Sequence, residues 1–209
     1  MSRLKEKFHK LLPVLFILVF AVSRIPGLLP GNFSVVYAFA FCAGVYFPQR
    51  LVWWLPLLVI AGTDVALNIF YYHTSPFAAY LLLNYAVYFG LIALGKWFGP
   101  RTSFLKLLGG GLLGAVIFYF ITNTLAWLQD SYYTKTIAGW IQALTFGHPD
   151  YHPTTWEFFR NTLMSAGIFT ALFTGAEKLT ASAESPADKT AGVREPEGEI
   201  AAEPEEAEA

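Results

Sequence analysis

Asp64 lies inside the apolar run LPLLVIAGTDVALNIFYYH, residues 55–73, and Asn68 follows one helical turn later. A carboxylate at hydrocarbon depth costs roughly 3 kcal/mol on insertion scales, so such a group pairs with a cation or faces a ligand or ion path. Further polar side chains interrupt other apolar runs: Arg24, Asn84, Asn123, and the group Glu157, Arg160 and Asn161. A carboxylate, a guanidinium and several amides can together hold a small polar molecule. They offer no nucleophile–base pair, and neither GxSxG nor HExxH occurs, so the expectation is a protein that is not an enzyme. His148, Asp150 and His152 have the spacing of metal ligands on a helix. Pro149 and Pro153 break that helix, so no metal and no cofactor is expected.

The elements that must position these residues are hydrophobic helices. The chain has 209 residues, 55% hydrophobic and only 14% charged, with mean hydropathy +0.46. Soluble domains are nearer a quarter charged, so the composition predicts a polytopic membrane protein, all-α, with the lipid bilayer as its surroundings. Six spans fit: 11–23, 33–47, 51–72, 77–98, 104–128 and 156–179. The second is short for a crossing of about 20 residues. The basic stretch SRLKEKFHK before the first span reads as the flank of a signal anchor, since AVSRIPG makes a poor cleavage site. Cys42, the single cysteine, rules out an intrachain disulfide. In the connection 130–155, Ile137, Trp140, Ile141 and Leu144 recur at helical spacing and predict a short amphipathic helix at the membrane interface.

Charge gives an orientation. Nine of fifteen acidic residues lie in 181–209, an Ala-, Glu- and Pro-rich tail expected to be disordered. The body, residues 1–180, is basic. Arg3, Lys5, Lys7, Lys10, Arg50, Lys96, Arg101 and Lys106 fall on one side, which predicts both termini in the cytoplasm of a multi-pass inner-membrane protein. Asp64 is fourteen residues past Arg50, about 21 Å along a helix, and therefore in the outer half. The same count puts Asn68, Asn84, Asn123, Trp127, Arg160, Asn161 and Arg24 at that end. The expected site is an outward polar cup made by these residues, with Arg160 the expected partner of Asp64 and Arg24 the other candidate. The inner half is expected to be dry and tight, with Ala40, Gly44, Gly110 and Gly114 as close-packing positions or as the interface with another membrane subunit.

Five stretches occur in order: GNFSVVYAFAFCAGVYF from Gly31, Asp64 near the end of its run, TNTLAW from Thr122, YTKTIAG from Tyr133 and FFRNTL from Phe158. Over residues 10–178 the chain resembles a family of six-span bacterial membrane proteins that is itself similar to the substrate-binding S components of energy-coupling factor transporters. It departs from that pattern at Thr134, Ser165 and Ala166. The resemblance implies uptake of a small, vitamin-like molecule, in complex with a transmembrane coupling subunit and ATPases. No phosphate-binding loop is present, so the ATPase would be a separate chain. A membrane scaffold or assembly protein is the alternative. Nothing in the charge pattern points to nucleic acid.

Overall fold

The computed structural model describes residues 2–76, 79–150 and 154–181. The tail beyond 181, His152 and the first residues of the fourth predicted span lie outside them. Among the described residues the fold is all-α: α1 (Ser2–Ser23), α2 (Val36–Tyr46), α3 (Leu55–Phe70), α4 (Ala79–Phe98), α5 (Phe104–Gln129), α6 (Ile137–Thr145) and α7 (Thr155–Ala181). Each apolar run read from the sequence holds one helix, and the amphipathic stretch in 130–155 forms α6.

Two helices are long and apolar enough to cross a membrane, α4 over Leu81–Phe98 and α5 over Phe104–Gln129. The others differ for identifiable reasons. At 11 residues, α2 is about 16 Å long, half a hydrocarbon core. It is apolar on every side and buried on every side from Val36 to Val45. A helix with no polar face belongs at the centre, and α2 packs against α1, α3, α4, α5 and α7. Phe47 is extended, as a residue before proline prefers, and Pro48 stops the helix there. α3 begins at Leu55 rather than at 51, after a turn closed by Leu55 N–H to the Leu51 carbonyl, and Pro56 falls in its first turn, where no N–H is needed. α7 is 27 residues long but less apolar, because it buries Thr162, Ser165, Thr170, Thr174 and Glu177 along one face.

Side-chain and cap contacts fix the up-and-down arrangement. Arg24 at the end of α1 meets Asp64 late in α3, and Asn161 early in α7 reaches the Gly31 carbonyl between α1 and α2. At the opposite end Lys96 of α4 bonds Gln49. The ends are called here the Arg24 end and the Gly44 end.

The two ends are built differently. At the Gly44 end α2 and α4 touch through backbone: Gly44 and Gly95 face each other, and a Cβ on Gly44 would fall on the Ile92 carbonyl oxygen. Gly110 lies under the rings of Phe41 and Phe98, and Gly114 against Leu91. Ala40 is fully buried. Ala40, Gly44, Gly110 and Gly114 are therefore buried in contacts within this chain, as the close-packing reading of them expects. At the Arg24 end, α7 starts with a reciprocal cap. Thr154 N–H donates to the Glu157 carboxylate at 2.9 Å, and Glu157 N–H to Thr154 Oγ1 at 3.4 Å. α6 is capped by Thr136, whose Oγ1 accepts from Gly139 N–H. It docks through Gly139 and Ala143, while Trp140 Nε1 donates to Thr124 Oγ1 at 3.0 Å. Ile137 and Ile141 face outward.

Candidate functional site

The centre of the Arg24 end is an ion pair. Arg24 Nη2 meets Asp64 Oδ1, and Tyr85 Oη of α4 donates to Asp64 Oδ2 at 3.2 Å. The Asp64 side chain is 14% exposed and that of Arg24 27%. Three helices thus converge on one carboxylate. Arg24 comes to this position because α1 ends at Ser23, whose hydroxyl bonds the Phe20 carbonyl, and the chain turns through Pro26 and Gly27. Gly27 has φ +79°, and Asn32, at φ 61°, closes the loop in the left-handed region.

An aromatic floor lies beneath the pair. Tyr85 neighbours Tyr88, Tyr88 stacks on Phe118 with ring centroids 5.6 Å apart, and Phe118 contacts Tyr37 at 4.7 Å. Tyr37, Tyr88 and Phe118 are buried. At the α1–α2 loop a cavity of about 200 Å³ is lined by Arg24, Ser34, Leu67, Tyr72 and the loop backbone. A guanidinium, hydroxyls, loop backbone and one short apolar side are equipment for holding a small molecule by its polar group.

The expected cup residues separate into two sets. Asp64 stands at the centre, but its partner is Arg24. Arg160 is exposed at the start of α7, and among the described residues its bond is to the adjacent Asn161, at 3.4 Å. This corrects the expected Asp64–Arg160 pair: Arg160 has the right depth and the wrong rotation. Asn161 turns from the pair toward the loop, donating to the Gly31 carbonyl at 2.9 Å, and Gly31 lines the cavity. Asn68 is buried and accepts from the Thr74 hydroxyl at 3.4 Å, finishing the end of α3. Asn84 is half-buried beside Tyr85 in sequence, about 100° round the helix from it. Asn123 donates to the Tyr119 carbonyl of its own helix at 2.8 Å. Trp127 Nε1 donates to the Thr134 carbonyl at 2.8 Å, and Lys135 Nζ bonds the Trp127 and Asp130 carbonyls, tying down the C-terminus of α5. Asn123 and Trp127 thus serve α5 and the α5–α6 turn.

Three features escaped the sequence reading. The bond of Tyr85 to Asp64 and the place of Tyr88 were not read, although the two, three apart on α4, are a visible helical pair. Tyr37 and Phe118 were hidden among nineteen phenylalanines and eleven tyrosines. The third is at the Gly44 end, which is not purely apolar. Glu177 is 5% exposed there, and the Thr174 hydroxyl sits beside Cys42 and Tyr46. The spacing 162, 166, 170, 174, 177 was the available signal for this inward face of α7. In the 130–155 connection, His148 Nδ1 accepts from Asp150 N–H at 3.1 Å, a local turn. The described residues contain no cluster of three or more histidine, cysteine or acidic side chains that could hold a metal.

A family model described as a family of unknown function (DUF6580) matches residues 5–188. Neither a curated protein nor a solved structure matches the chain.

Proposed function

The chain belongs to this DUF6580 family of unknown function, and from that premise we propose that it is an integral inner-membrane protein that binds a small molecule at its Arg24 end, as the substrate-binding component of an uptake transporter. In this reading α1–α5 and α7 are the six membrane helices and α6 lies on the outer interface. Support for the membrane setting comes from the outward faces. Leu18, Leu82, Leu113 and Leu172 are 49–73% exposed on four different helices, where a water-soluble bundle carries polar side chains. The cluster of basic residues at the Gly44 end favours that end, and both termini, in the cytoplasm.

The observation that carries the binding role is the Arg24–Asp64–Tyr85 centre beside an open cavity, set among apolar helices. A coupling subunit and two ATPases are the partners of this reading. The test is a thermal-shift screen of small metabolites on purified protein, with mass spectrometry of co-purifying chains. A saturable ligand, or coupling and ATPase subunits, is expected. A screen with neither leaves the second reading, a scaffold in which the ion pair only locks α1 to α3. That reading draws on the direct Arg24–Asp64 contact, which joins those two helices without any ligand.

A further inference from the structure

The binding role leaves the chemistry of the ligand open, and the cavity wall bears on it. Among the described charged residues only Arg24 lines the cavity; Asp64, its counter-ion, does not. Arg24 gives one nitrogen to Asp64. The guanidinium has five N–H donors on a planar fork, so donors remain for a second planar acceptor. Asp64 holds the fork in place, which lowers the ordering cost of using it. Among the described residues no acidic side chain lines the space, and Asn161 holds its loop through the Gly31 carbonyl. The rest of the wall is mostly polar, with Ser23, Asn32, Ser34 and the loop backbone, and it carries one short apolar side made by Leu29, Leu67, Phe33 and Tyr72. Phe33 is held edge-on against Phe169 of α7 at 6.1 Å.

Resting on the binding role above, we propose that this cavity takes a small carboxylic acid anion, its carboxylate on Arg24 and a compact apolar or aromatic body against Leu67 and Tyr72. A cation would meet the Arg24 guanidinium with no carboxylate in the wall to pair with, and a neutral analogue would forgo the charge-assisted bond. About 200 Å³ limits the body to roughly one ring or a short chain.

Benzoate, benzyl alcohol and benzylammonium share one body and differ in charge, so they serve as probes. Each is titrated calorimetrically into full-length protein in detergent, with melting temperature followed in parallel. Benzoate is expected to bind saturably and raise the melting temperature, and the other two to do neither. Arg24→Lys keeps the charge opposite Asp64, and hence the fold, but loses the planar fork; it should weaken benzoate roughly tenfold. Leu67→Phe narrows the cavity without touching charge and should also weaken it. Equal binding of all three probes, tighter binding of benzylammonium, or benzoate binding indifferent to both variants would overturn the carboxylate assignment while leaving a small-molecule role standing. No probe binding, together with a metabolite hit that Arg24→Lys and Leu67→Phe do not affect, would place the ligand elsewhere. An empty metabolite screen would remove the binding role itself.

Discussion

The Gly44 end and the Arg24 end hold the same helices together by opposite means. At the first, α2 and α4 meet backbone to backbone because glycines face each other, and Gly110 lets two phenylalanine rings close over α5. At the second, α1, α3 and α4 meet through a guanidinium, a carboxylate and a phenol, with an open cavity alongside. Close backbone packing is unforgiving of added volume and rigid. A polar junction has specific partners, and its geometry leaves room for a further one. The difference places stability at one end and adaptability at the other.

Added volume at the Gly44 end should have the largest effect. Gly44→Val would drive its side chain into the Ile92 carbonyl, with no flexible group to yield. A loss of about 3 kcal/mol or more is expected in unfolding of the detergent-solubilised protein. Gly90→Ala is the control: nothing lies within 4 Å of the added methyl, and relief of glycine's chain entropy should stabilise by roughly 0.5 kcal/mol. Similar losses at both sites would mean that the two helices do not touch as described.

The ion pair comes next. Asp64→Asn or Arg24→Gln leaves a partly buried charge alone, with a cost of about 2–3 kcal/mol, below the fully buried case because both side chains keep some solvent contact. The double variant should regain part of that, a coupling of about 1 kcal/mol or more in a double-mutant cycle. Arg160→Gln should stay within about 0.5 kcal/mol of the native protein. A large Arg160 effect with a silent Arg24 would reverse the pairing.

The comparison also marks what the sequence could tell. Apolar runs and proline breaks were enough to find α1–α5 and α7, and the 137–144 spacing found α6, because hydrophobic periodicity is a local property. Counting residues along helices put Asp64, Arg24, Arg160 and the asparagines at one level. It could not choose between the two arginines. Depth follows from rise per residue, but facing depends on how each helix is rotated about its axis against neighbours, and that is settled by packing across the bundle. Asn123 shows a second limit: an amide within a helix always has its own backbone carbonyl in reach, so its depth says little about what it serves. Glu177 and the threonines of α7 were missed for a third reason. Threonine is a mild residue in an apolar run, and its burial shows only when the run is read as one face.

A smaller effect is expected at the start of α7. Thr154→Ala removes the hydroxyl that receives Glu157 N–H, which should cost about 1 kcal/mol. Because Asn161 links the first turns of α7 to the cavity loop, fraying there should also raise hydrogen exchange at Gly31 to Phe33. Stability loss without that exchange would show that the cap serves α7 alone.

The smallest effect is one whose sign matters. Thr170 is fully buried in α7 between the two ends, against Gly111, and its hydroxyl has no hydrogen-bond partner among the described residues. A buried hydroxyl without a partner costs about 1–3 kcal/mol in desolvation, whereas an apolar group of the same shape avoids that cost. Valine is nearly isosteric with threonine. If the middle of α7 is dry, as the tight Gly111 contact implies, Thr170→Val should raise stability by up to about 1 kcal/mol, measured by thermal unfolding. If the variant instead loses stability, the hydroxyl has a partner such as a bound water, and the polar face of α7 continues inward from the Arg24 end toward Glu177. That result would break the division into an adaptable end and a rigid one, because hydrated polar contacts would then reach into the half that glycine packing was taken to close.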